Sequence, residues 1–238
     1  MRGTSALFPR ITGCCGHRLR LFLNSAYARY ALHCISSLLL VGGRFSFYNG
    51  FMNPELRQKG YIPAKGLLDP SLARVIYKTL LLKQWRGECF RDNHIPTAAS
   101  VSNAALTDAL LLELRPRIEA ISGCRLVPTY SYARVYFHGD TLIRHRDRGS
   151  CEVSVSIHLG RDGGEVNLWF QPNTKLEMEE GDGAVYLGCE TAHWRERFTG
   201  NTMGQVFLHY VVADGPLAAH YFDGYPQRFP PSVSEGLI

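Results

Sequence analysis

The chain has 238 residues, 45% of them hydrophobic and 20% charged, an ordinary globular composition that excludes a collagen-like, low-complexity or wholly disordered protein. Its length suits one well-buried domain with an appendage. The net charge of +5 is unevenly placed: Arg2, Arg10, Arg18, Arg20, Arg29 and Arg44 all precede the first carboxylate, Glu55, leaving 20 basic against 21 acidic side chains in the rest. The body therefore has no net basic field for a phosphate backbone, and no nucleic-acid partner is expected.

Residues 1–51 are Arg-rich, contain serine and carry no acid. That is the composition of an organellar, mitochondrial-type presequence. The alternative is an upstream segment preceding a protein that begins at Met52. Either way the segment is expected to be disordered, with the working domain spanning 52–238. Its most apolar stretch, Ala31 to Gly43, has 13 residues interrupted by His33, Ser36 and Ser37, against about 20 for a membrane span. No span is expected. Seven cysteines (Cys14, Cys15, Cys34, Cys89, Cys124, Cys151 and Cys189) are an odd number without ligand-like spacing, which reads as reduced thiols. The location is cytoplasmic, or organellar if the leader is a presequence.

Asn53 to Gly66 reads as an entry segment with a short strand at Tyr61-Ile62, limited by Pro63. Asp69-Pro70 supplies an N-cap and a first-turn proline. The recurrence of Leu72, Val75, Ile76, Leu80 and Leu81 then predicts a helix of about 15 residues. Trp85 to Ser102 reads as a loop. A second helix is expected from about Asn103 to Ile121, with Leu106, Leu110, Leu114, Ile118 and Ile121 on one face and Pro116 kinking or ending it early. After Gly123 come short strands at Thr129–Phe137, Glu152–Leu159, Glu165–Phe170, Gly183–Leu187 and Gln205–Val212, then an irregular tail. Helices followed by strands give an α+β class, the helices lying on one face of a sandwich or barrel.

The chemistry concentrates in Arg144-His145-Arg146-Asp147-Arg148. In an extended chain His145 and Asp147 share a side, and the three arginines face the other way. A third ligand from a later strand would complete a facial triad, and His193 follows the strand Gly183–Leu187. Two histidines and one carboxylate leave three octahedral positions open, the arrangement of non-haem Fe(II) oxygenases; a structural zinc site would be closed by four ligands.

These segments resemble the Fe(II)/2-oxoglutarate-dependent oxygenase superfamily, in its prolyl 4-hydroxylase-like branch. Tyr132 to Asp147 is similar to the strand ending in tyrosine, glycine turn and HxD of that family. Glu177 to His193, with its Gly181-Asp182 turn, resembles the approach to the distal histidine. The resemblance covers roughly Leu126–Val212. It implies a double-stranded β-helix, or jelly roll, whose β core is about 126–212, with iron held by His145, Asp147 and His193. It also implies 2-oxoglutarate as co-substrate and hydroxylation of an unactivated C–H bond in a small-molecule or peptidyl substrate.

In that family a basic residue some ten positions past the distal histidine clamps the far carboxylate of 2-oxoglutarate. Here the place is taken by Gln205, a candidate to hydrogen-bond the carboxylate without charge. Arg134, which shares parity with Tyr132 and Tyr136, and Arg195, two residues after His193, are the candidate anchors. An arginine fork is favoured because it pairs bidentately with a carboxylate. Tyr136 matches a tyrosine that contacts the co-substrate. His158 and His209 have the parity to face the pocket. The missing basic residue keeps two rivals open: a catalytically idle jelly-roll binding protein, and a cupin-like metalloenzyme that does not use 2-oxoglutarate.

Overall fold

A computed structural model describes residues 52–223 and Tyr225. The expected leader and the tail prolines Pro226, Pro230 and Pro231 lie outside these residues. Asn53 caps α1 (Pro54–Lys59), which ends on left-handed Gly60 and leads into β1 (Tyr61–Ala64). Pro63 is tolerated there because β1 is the edge strand of its sheet. The Asp69 carboxylate accepts from the Ser71 amide at 2.8 Å and starts α2 (Pro70–Trp85).

The buried face of α2 differs from the one the spacing predicts. Ala73, Ile76, Tyr77 and Leu80 point inward, while Leu72 and Val75 are 42% and 58% exposed. Tyr77 decides the rotation. Its ring fills a notch over Gly160 and Gly204, where an added Cβ would lie 2.6 Å and 2.5 Å from it, and its hydroxyl meets Thr202 Oγ1 at 2.6 Å.

The segment expected to be a loop contains a strand, β2 (Ala99–Ser102). The single long helix expected next is two, α3 (Ala105–Glu113) and α4 (Arg115–Ser122), with Pro116 in the first turn of the second. Proline lacks the N–H that would continue the ladder, so the break falls at Leu114. Leu110, Leu114 and Ile118 are buried as expected, whereas Leu106 is exposed.

Eight strands follow: β3 (Leu126–Phe137), β4 (Leu142–His145), β5 (Val153–Asp162), β6 (Asn167–Phe170), β7 (Thr174–Glu177), β8 (Gly183–Tyr186), β9 (His193–Arg195) and β10 (Thr202–Val212). The sequence pattern finds β3, β5, β6, β8 and β10 and passes over β2, β4, β7 and β9, each four residues or fewer. All pairings are antiparallel. One sheet has the order β1-β8-β5-β10-β3-β2 and the other β4-β9-β6-β7.

Strict alternation divides the larger sheet into two faces. On β5, Val153, Val155, Ile157 and Leu159 join a core with Ile76, Leu111 and Ile118 of the helices. Ser154, Ser156 and His158 are buried on the opposite side. Similarly, Val206 and Leu208 of β10 face the helices, and Gln205, Phe207 and His209 face away. A second core joins Tyr136, Tyr186 and Phe207 of the larger sheet to Leu142, Leu168 and Phe170 of the smaller one. The helices thus cover one face of the larger sheet, and the space between the sheets combines this apolar cluster with polar side chains. No helix among the described residues is long and apolar enough to cross a membrane.

Candidate metal and anion site

Strands β4 and β9 are neighbours, with His145 directly opposite His193 and Leu142 opposite Arg195. A bulge between these two pairs lets Leu142 and His145, three residues apart, both serve the inner face. The Asp147 amide donates to the Gly188 carbonyl at 2.9 Å, fixing the chain just past β4. Asp147 Oδ1 then lies 3.5 Å from His145 Nε2 and 3.6 Å from His193 Nε2. One ligand atom from each of the three residues falls within 4.8 Å of the others.

The imidazole tautomers follow from their other contacts. His145 Nδ1 meets the Ile143 carbonyl at 2.8 Å, and His193 Nδ1 meets that of Thr191 at 3.0 Å. A carbonyl only accepts, so each Nδ1 carries the proton and each Nε2 presents a lone pair, as a metal ligand must. His209 Nδ1 donates to Ser154 Oγ at 2.9 Å, and Ser154 donates to Asp147 Oδ2 at 3.1 Å. Oδ1 is thereby left for the histidines. Burial opposes the charge on Asp147, but where the imidazoles around it are protonated they outweigh burial and hold its carboxyl below the usual range.

The three residues open on a cavity of about 510 Å³, also lined by Phe90, Asp92, His94, Tyr130, Tyr132 and Phe207. Arg134 and Arg195 both reach it, in different electrostatic situations. Arg134 Nη2 is paired with Asp92 Oδ2 at 2.6 Å and also donates to the Tyr132 hydroxyl, while its Nη1 donates to the Tyr136 hydroxyl. Arg195 is 2% exposed. Its Nη1 donates to the Asn167 carbonyl at 2.6 Å, and its Nη2 to Ser156 Oγ at 3.0 Å and Gln205 Oε1 at 3.1 Å. Its Nε is buried without a partner, and the guanidinium lies 5.8 Å from the Tyr136 ring. Every one of those acceptors is neutral.

Tyr136 and Gln205 are buried behind the cavity wall against Arg195. His158 lies behind Gln205, its Nδ1 3.0 Å from Gln205 Nε2. The arginines flanking His145 and Asp147 do not all turn away. Arg144 stacks on Trp194 outside the sheet at 4.8 Å, but Arg146 and Arg148 line the cavity. A 3-10 turn at Gly149–Cys151 ends the extended chain, and Arg148 folds over Tyr130 at 4.9 Å.

Sequence reasoning missed Asp92 and Ser154. Ser154 has a signal, since it falls on the polar parity of β5. Asp92 has none, because it lies in irregular chain whose position depends on β2.

No protein-family model and no curated protein matches this chain. Solved structures do. The chain is similar to a prolyl-4-hydroxylase of Pseudomonas putida at 18% identity, covering 65% of this chain and 94% of that one with a TM-score of 0.52. It is also similar to the alpha-ketoglutarate-dependent non-heme epimerase SnoN from nogalamycin biosynthesis at 16% identity, covering 74% and 88% with a TM-score of 0.58. HygX of Streptomyces hygroscopicus, solved with nickel and 2-oxoglutarate bound, matches at 11% identity over 67% and 85% with a TM-score of 0.53. At these identities the shared property is the fold.

Proposed function

We propose that this chain is an Fe(II)- and 2-oxoglutarate-dependent dioxygenase on a double-stranded β-helix, hydroxylating an unactivated C–H bond of a small-molecule or peptidyl substrate. The observation that carries the reading is a buried arginine without a counter-ion among the described residues, Arg195, in the cavity that holds His145, Asp147 and His193. A desolvated guanidinium bonded only to neutral acceptors is costly, and a ligand carboxylate would compensate it. A facial set of two imidazole nitrogens and one carboxylate oxygen suits Fe(II) and leaves positions for a chelating 2-oxo acid. Arg134 is compensated by Asp92, so the anchor falls to Arg195.

His145, Asp147 and His193 would hold the metal, with Ser154 and the two backbone carbonyls fixing their orientation. Bound there, Fe(II) with 2-oxoglutarate supplies the oxidising chemistry, which belongs to the cofactor. The protein orients the co-substrate through Arg195, and Tyr132, Phe207 and Phe90 give the mouth an apolar wall. The working unit is taken to begin near Met52, and free Cys89, Cys124, Cys151 and Cys189 fit a reducing compartment.

The test is succinate formation from 2-oxoglutarate by the full chain, loaded anaerobically with Fe(II) and then exposed to oxygen. The expected result is Fe(II)-dependent turnover that falls at least about 100-fold in His193→Ala, because losing a ligand costs more than losing a group that only orients one, about 10–100-fold. Metal binding without 2-oxoglutarate binding would favour the cupin-like reading. Neither metal nor co-substrate binding would favour an idle jelly roll.

A further inference from the structure

Gln205 occupies the place where the resemblance leads one to expect a cation, and its surroundings explain why it is neutral. In the sheet it is paired with Arg134 of β3 on one side and His158 of β5 on the other, while Arg195 reaches it from the opposite sheet. A lysine or arginine there would face two guanidiniums. A carboxylate would satisfy Arg195 permanently.

The amide can sit only one way round. Arg195 has donors and no acceptor, so Gln205 must turn Oε1 towards its Nη2, 3.1 Å away. Gln205 Nε2 then points at His158 Nδ1, 3.0 Å away, which must accept. His158 is consequently neutral with its proton on Nε2, an atom buried without a partner. Burial, together with Arg195 and Arg161, pushes its pKa down to about 3, in keeping with a neutral ring. His158 touches neither the cavity nor the three residues assigned to the metal.

We propose that His158 and Gln205 are positioning residues for the co-substrate anchor: a neutral, oriented relay that fixes the Arg195 fork while leaving its charge to the far carboxylate of a dicarboxylic 2-oxo acid. This rests on the dioxygenase reading above. The relay sets selectivity for the length and charge of the co-substrate. A 2-oxo acid without a second carboxylate would meet the metal but leave Arg195 uncompensated.

The experiment compares 2-oxoglutarate with pyruvate, titrated anaerobically into the Fe(II)-loaded full chain and followed by the charge-transfer absorption of the chelate. Wild type is expected to prefer 2-oxoglutarate by about 100-fold or more, the scale of a desolvated charge-assisted pair. In Gln205→Glu the internal carboxylate takes Arg195, so the preference should collapse to within a few-fold, with Fe(II) affinity and pyruvate affinity unchanged. His158→Asn keeps an acceptor near the position of Nδ1 and should retain the preference. His158→Leu removes the acceptor and should lower the preference about tenfold.

If Gln205→Glu binds Fe(II) and still prefers 2-oxoglutarate as wild type does, the proposal is overturned. If Gln205→Glu does not fold, the two His158 variants decide, and equal preference in both overturns it. A wild type that binds Fe(II) but neither 2-oxo acid would instead overturn the dioxygenase reading.

Discussion

Asp147 is held from behind as closely as it is matched from the front. Ser154 donates to its Oδ2, and Gly188 leaves room for it: a Cβ there would lie 2.6 Å from that oxygen and 2.3 Å from the Cys151 carbonyl. The carboxylate is therefore confined to one orientation, with Oδ1 towards the histidines. Ser154→Ala removes a donor and leaves Oδ2 buried without it, and groups that orient ligands typically contribute about 10–100-fold in metal affinity. The expected result is a loss of about tenfold in Co(II) or Fe(II) affinity by spectroscopic titration, with little change in Tm. An unchanged affinity would show that the peptide geometry around Gly188 suffices.

Among the elements, the chain between α2 and β2 depends most on one side chain. Asp92 Oδ1 accepts from the amides of His94 and Ile95 at 2.9 Å and 3.0 Å. Its Oδ2 accepts from Arg134 at 2.6 Å, Ser100 Oγ at 3.0 Å and the Tyr132 hydroxyl. Five donors on one carboxylate tie the mouth of the cavity to β3. Burial would raise the Asp92 pKa, but Tyr132, the Ile95 amide and Arg134 together hold it well below the usual carboxylate range.

The unfolded chain takes up a proton at Asp92 near about pH 3.9, while the folded chain stays ionised to lower pH. The stabilisation is complete above about pH 4 and is lost as pH falls towards the depressed folded value. Wild type should therefore exceed Asp92→Asn in urea midpoint at pH 6, and the gap should narrow progressively as pH falls below about 4. A gap independent of pH would show that Asp92 acts through packing alone.

On the scale of the whole molecule, the larger sheet keeps stability and chemistry on opposite faces. Leu208 is fully buried among helix-facing residues, whereas its neighbours Phe207 and His209 line the cavity. Leu208→Ala should cost about 2–5 kcal/mol, the usual price of a core leucine, and lower the urea midpoint accordingly. Metal affinity at temperatures where the variant is folded should be unchanged. A parallel fall in metal affinity would mean that the faces are coupled through the strand.

The site was legible in the sequence where chemistry sits on local spacing. The HxD pattern, the later His193 and the alternation of β3, β5 and β10 all follow from side-chain types and a period of two, which need no knowledge of distant contacts. The cap at Asp69-Pro70 and the break at Pro116 are likewise local. The rotation of α2 was not, because it is set by Tyr77 entering a notch made by glycines from two other strands. Nor were β2, β4, β7 and β9, short segments that become strands through their partners. The choice between Arg134 and Arg195 as anchor also lay beyond the sequence. Parity brings both arginines inward, but whether a buried cation is already neutralised depends on what the fold places beside it, and only the tertiary structure sets Asp92 against one and neutral Gln205 against the other.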